Sequence, residues 1–203
     1  KDIKNWRRSE VLKDFKFYII SLNMLAMPWI VTGVFIYQSF IAESKLWGSY
    51  IIPQSFMIYS TTSILTLIAS GFLVDKFTSR KLIAFMNLPL LSGLIVLYFF
   101  DITYSAYLFF GLMGVSNGLA NVLGSSTWAE IYGVRYLGAI RSLTTAFMVF
   151  STAFGTALFG LLIDKGYTIE HIALISILYI SVSLSFLLAI KGSVEPLNLP
   201  KKT

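Results

Sequence analysis

Residues 102–129, ITYSAYLFFGLMGVSNGLANVLGSSTWA, contain no Asp, Glu, Lys, Arg or His. A helix needs about 20 residues to cross a bilayer core about 30 Å thick, and this run exceeds that. A core helix of a water-soluble protein buries one apolar stripe and turns a charged face to water. This run has no such face. Five further runs share the property: 17–42, 50–74, 82–100, 142–163 and 172–190. They are too long and too continuously apolar for the alternating strands of a membrane barrel. Only helices and closed barrels can span lipid. The expected fold is therefore an all-α membrane protein. A six-helix transmembrane bundle fills 17–190, with short polar segments at 1–16 and 191–203.

Composition agrees. The chain is 56% hydrophobic and 13% charged, against about 25% charged in a soluble domain. Its net charge of +6 lies in loops at run ends, not in a basic stripe with interleaved aromatics, so no nucleic-acid partner is expected. The partner implied instead is the lipid bilayer. The chain has no Cys, which excludes thiol chemistry and Cys-bound metal; no metal or cofactor is expected. It starts at Lys1 and shows no short apolar run with a small-residue cleavage site, so it reads as a piece of a longer protein.

Orientation follows from the loops. Of the 16 Lys and Arg residues, all but Lys45 and Lys165 fall in alternate loops or at the two ends. Basic residues accumulate on the cytoplasmic side. Six crossings with both ends cytoplasmic fit this distribution; five or seven would break it. Aromatics near run ends, such as Trp47, Tyr50, Trp128 and Tyr132, fit an interfacial belt.

The chain also resembles itself. Gly71–Lys76 reads GFLVDK and Gly160–Lys165 reads GLLIDK. The shift that superposes them carries the first three runs onto 106–131, 139–163 and 171–189, close to the last three. Three helices followed by three equivalent helices must have opposite orientation. The expectation is a 3+3 inverted repeat, as found in secondary transporters.

The loop GFLVDKFTSRK, residues 71–81, resembles the signature loop of the major facilitator superfamily, G-x-L-x-D-[RK]-x-G-[RK]-[RK]. Gly71, Leu73, Asp75, Lys76, Arg80 and Lys81 match. Thr78 stands where that pattern usually has Gly. Residues 128–141, WAEIYGVRYLGAIR, and 154–160, FGTALFG, resemble the family's tenth-to-eleventh loop and eleventh helix. The resemblance implies the C-terminal half, helices seven to twelve, of a twelve-helix transporter in a bacterial inner membrane. Residues 1–16 would end the cytoplasmic linker, 191–203 would form a cytoplasmic tail, and the N-terminal six-helix half would be the partner.

A carboxylate where a helix leaves the membrane can bind the positive N-terminal end of a neighbouring helix. The resemblance assigns this to Asp75 as a conformational latch on the cytoplasmic side, with Gly71, Lys76, Arg80 and Lys81 in the same gating motif. Glu130 and Arg141 are candidates for a matching latch. The alternative is that these are ordinary membrane-edge charges.

No ionised residue falls inside a run, so a substrate pathway here would be lined by neutral polar and aromatic groups. Asn117, Asn121, Ser125 and Trp128 recur at helical spacing with Gly114, as do Arg141, Thr145, Met148 and Thr152. In the first run Asn23, Met27, Ile30, Val34 and Gln38 align, with Tyr37 alongside and Pro28 able to bend the helix. Gln54 and Thr61 share a face of the second run. The pathway candidates are Tyr37, Gln38, Gln54, Asn117, Asn121, Thr145 and Thr152. Gly111, Gly114, Gly118, Gly155 and Gly160 read first as close-packing residues, and His171 as a surface residue.

The expected function is transport of a small solute by alternating access, not catalysis. An intramembrane enzyme would need a nucleophile with a base, and no G-x-S-x-G or H-E-x-x-H motif occurs. A permease subunit of an ATP-driven transporter would need a longer cytoplasmic coupling segment than 130–141. A non-transporting scaffold would not need polar stripes.

Overall fold

Backbone N–H and C=O groups find no partner in lipid, so a charge-free run must bond to itself. The computed structural model describes residues 4–190 and is all-helical, with no strand among them. Residues 1–3 and the expected tail 191–203 lie outside the described residues. Six helices are long and apolar enough to cross a membrane.

The helices are α1 (Arg8–Val11), α2 (Phe15–Ile36), α3 (Gln38–Ser44), α4 (Ile51–Phe77), α5 (Ser79–Leu82), α6 (Leu88–Phe99), α7 (Thr103–Tyr132), α8 (Leu137–Asp164) and α9 (Ile169–Ile190), with a 3₁₀ turn, Ile83–Phe85, between α5 and α6. Two charge-free runs are not single helices. The first bends at Tyr37, whose φ of −100° and ψ of 24° separate α2 from α3. The third breaks before Pro89, near the start of α6, where a proline's missing N–H costs no helical bond.

The loops gather at two ends. Lys45 after α3, Asp101 between α6 and α7, and Glu170 at the start of α9 meet in one ion cluster. The 78–82, 130–137 and N-terminal segments meet at the other. There the Trp6 N–H donates to the Tyr132 carbonyl at 2.9 Å, and Asn5 Oδ1 accepts from the Arg135 N–H at 3.1 Å. Residues 4–14 therefore dock against the bundle, with Val11 fully buried. Glu10 accepts from the Arg7 N–H and from Lys4 Nζ, which holds its carboxyl below the usual range.

Two parallel helix pairs form the frame. Ser151 Oγ donates to the Leu25 carbonyl at 3.1 Å, and Gly155 lies against the Trp29 backbone, so α2 and α8 run side by side. Thr62 Oγ1 donates to the Gly111 carbonyl at 3.0 Å, and Gly114 and Gly118 lie against the α4 backbone, pairing α4 with α7. Around the bundle the order is α4, α7, α6, α9, α2, α8, and contacts of α7 with α2 and α8 draw the arc together. The core follows this path. Trp29, Phe109, Phe110, Met113 and Phe159 fill one cluster, and Phe17, Trp128, Tyr132 and Ile140 another.

Burial is uneven. In the most apolar window of α2, 56% of residues are buried within the chain, against 6% in α4 and 17% in α8. The two helices at the ends of the arc turn most of their surface outward.

Candidate functional site

A cavity of about 460 Å³ opens between α2, α7 and α8. Its α7 wall is Asn117, Asn121, Gly124, Ser125 and Trp128; its α8 wall includes Arg141, Thr144, Thr145, Met148 and Thr152. The helical spacing read from the sequence places these side chains together because a cavity wall needs only one side of each helix. Gly114, on the same α7 stripe, packs against α4 instead.

The α2 wall lies on a different side from the one the sequence suggests. Ser21, Met24, Leu25, Pro28 and Thr32 line the cavity, and of the expected stripe only Met27 does. Asn23 turns into the protein, where Asn87 Nδ2 donates to its backbone carbonyl at 2.6 Å and its Oδ1 at 3.1 Å. Its own Nδ2 reaches the Ile83 carbonyl at 3.4 Å. The break before α6 exposes backbone groups that a continuous helix would satisfy, and the two carboxamides occupy that gap. Pro28 supplies no N–H to the Met24 carbonyl one turn back, so α2 has a helical acceptor without its usual donor beside the cavity.

The expected pathway residues divide. Asn117, Asn121, Thr145 and Thr152 border the cavity. Asn117 Nδ2 donates to Ser63 Oγ on α4 at 2.8 Å, while Asn121 Nδ2 donates only to the Asn117 carbonyl of its own helix. Tyr37, Gln38 and Gln54 are elsewhere. Tyr37 Oη donates to the Thr156 carbonyl at 3.3 Å and sits over Gly160. Gln38 borders a separate hollow with Trp47. Gln54 Oε1 accepts from the Tyr107 hydroxyl.

Of the gating residues, Glu130 and Arg80 come together. The Glu130 carboxylate accepts from the Ser79 N–H at 2.9 Å and the Arg80 N–H at 3.3 Å, and lies 3.5 Å from Arg80 Nε. It thus caps the first turn of α5, supplying negative charge to free N–H donors. Arg141 does not join it and borders the cavity instead. Asp75, Lys76 and Lys81 are exposed; Lys76 Nζ lies 5.3 Å from the Phe77 ring centre. Gly71 has open space where a Cβ would be.

Thr78, between α4 and α5, has φ 67° and ψ 142°. That region strongly favours glycine, and a β-branched residue is strained there. Its buried Oγ1 has no partner among the described residues, so nothing visible offsets the strain. Thr78→Gly is expected to stabilise the protein by about 1 kcal/mol after its added unfolded-state freedom is subtracted. A higher denaturation midpoint in detergent would show it; an unchanged or lower midpoint would contradict it.

Ser21, Met24 and Met86 also border the cavity, and nothing in the sequence singles them out. Ser and Met carry no strong polarity signal among apolar neighbours. No protein-family model matches the chain, and no curated protein matches it.

Proposed function

We propose that this chain is the C-terminal six-helix half of a secondary transporter of the major-facilitator type, moving a small solute by alternating access. The carrying observation is the cavity itself. It is bordered by Asn, Ser and Thr side chains of α7 and α8, with Arg141 among them, and lies among helices from both halves of the sequence repeat; α4 and α8 are the least buried of the long helices.

Helix neighbours support the inverted-repeat reading. Exchanging α2 with α7, α4 with α8 and α6 with α9 turns the α4–α7 pair into α8–α2 and the α6–α7 pair into α9–α2. It leaves α6–α9 and α2–α7 unchanged. On this reading the N-terminal half of the same polypeptide covers α4 and α8 and completes the cavity wall. The Lys- and Arg-rich end faces the cytoplasm, in a bacterial inner membrane. The contact of Glu130, near the end of α7, with the first turn of α5 lies at that same end. The solute, its coupling ion and the direction of movement stay open.

The test is growth and uptake profiling of a deletion strain against pooled metabolites, with rescue by the full-length gene and by its Asn121→Ala variant. One solute class is expected to be lost and then restored by the wild type. Asn121 bonds only within its own helix, so the variant should express normally. Its uptake should fall roughly ten-fold, the equivalent of one net hydrogen bond to solute. Full rescue by the variant would remove Asn121 from the site. Loss of a membrane enzymatic product with no change in any solute would overturn the transporter reading. The six-helix chain alone in liposomes is expected to give no uptake, since half its cavity wall is missing.

A further inference from the structure

We infer that the cavity takes an amphiphilic organic monoanion, head first toward Arg141, with its apolar body among methionines. This rests on the transport reading for its purpose and on the cavity alone for its chemistry.

Among the described residues, Arg141 is the only ionisable one bordering the cavity. It has no acidic partner among the described residues, so this chain's share of the cavity wall brings a positive charge and no carboxylate. A guanidinium with a free fork suits a planar carboxylate, which it can bind through two parallel bonds.

Two further donors lie toward the same end. Ser21 is 6% exposed and Trp128 is 1% exposed. Both border the cavity, and Ser21 Oγ and Trp128 Nε1 have no hydrogen-bond partner among the described residues. Buried donors are ordinarily satisfied, and an unsatisfied one calls for an acceptor. The three residues lie near the start of α2, the end of α7 and the start of α8, which meet at the Lys- and Arg-rich end. A ligand oxygen reaching this region would give the hydroxyl and the indole N–H the acceptor they lack once their side chains turn toward the cavity.

Methionines make up much of the rest of the wall. Met24, Met27, Met86 and Met148 all border the cavity, four of the six methionines in the chain. Unbranched thioethers fill irregular space and contact aromatic rings favourably, without demanding one shape. An apolar, preferably aromatic body fits that surface.

The test uses the full-length protein in nanodiscs and three probes with one ring system: 2-naphthoate, 2-naphthamide and 2-naphthylmethylammonium. Equilibrium dialysis should show naphthoate binding roughly ten-fold or more tightly than the other two, the scale of one charge-assisted bond. Arg141→Gln should abolish the preference, and Arg141→Lys should restore part of it. Equal binding of the three probes, no binding of any, or a preference that survives Arg141→Gln would each overturn the inference, without needing the variants to fold in the first two cases. Uptake into liposomes separates this result from the transport reading. Arg141-dependent binding with no solute crossing the bilayer would leave the anion site standing and remove the transporter. Transport of some other solute without naphthoate binding would do the reverse.

Discussion

Gly155→Ala is expected to destabilise the bundle by about 2–3 kcal/mol, the upper range for overpacking a tight interface. A Cβ at Gly155 would come within 2.7 Å of the carbonyl carbon and Cα of Trp29, and nearer still to its oxygen. These are backbone atoms of α2 and cannot swing aside as a side-chain tip can. Either α2 and α8 separate, or one of them shifts along its axis. Separation would loosen the Ser151–Leu25 hydrogen bond and the packing of Trp29 on Phe159. In lipid, helix pairs depend on such close van der Waals approach, because moving apolar surface from lipid to protein gains little. Gly138→Ala is the control. It has no atom within 4 Å of a Cβ, and Ala favours a helix, so its midpoint should hold or rise. The check is the thermal midpoint of both variants in detergent. Equal midpoints would mean that the α2–α8 contact is not close enough to matter.

The second large effect concerns Lys45. Its side chain is 0% exposed and lies 2.5 Å from Asp101 and 2.8 Å from Glu170. Trp47 Nε1 donates to the Asp101 carbonyl at 3.2 Å. The turn that presents Lys45 ends α3 with the Trp47 N–H on the Ala42 carbonyl and the Leu46 N–H on the Glu43 carbonyl, a helix stop that places Leu46 at φ 53°. Removing both carboxylates, as Asp101→Asn with Glu170→Gln, leaves a buried ammonium without a counter-charge. The expected loss is about 3 kcal/mol, from the general cost of breaking a buried ion pair. Lys45→Met should cost much less. The Asp101 and Glu170 side chains are 76% and 37% exposed, so water can solvate them once the cation is gone. Midpoints for the two variants should therefore differ in that order. The reverse order would show that Lys45 reaches water by another route.

These two contacts also show what can be read from the chain alone. The six membrane-crossing helices were legible because the absence of charge over such lengths has one physical meaning. The end-to-end alternation of loops was legible because Lys and Arg mark it. Which side of a helix faces inward was legible on α7 and α8, where Asn, Ser and Thr recur at helical spacing. It failed on α2. An all-apolar helix between protein and lipid has similar residues on every side, and its one strong polar group, Asn23, is drawn into the protein by the break before α6. Tyr37, Gln38 and Gln54 have the polarity of pathway residues, yet hydrogen bonds and a helix bend hold them away from the cavity. The Lys45 cluster joins residues 45, 101 and 170, which nothing local connects.

The parallel pairing of α2 with α8 has a consequence for synthesis. The Ser151 hydroxyl and the Leu25 carbonyl it bonds are 126 residues apart. At about 5–20 residues per second, the first long helix waits several seconds or more in the bilayer before its main companion leaves the ribosome. A ribosome stalled before α8 would leave a chain with most of its helices inserted and one of its two frame pairs unmade, a species that membrane quality control could tell from the finished bundle by its unpaired α2.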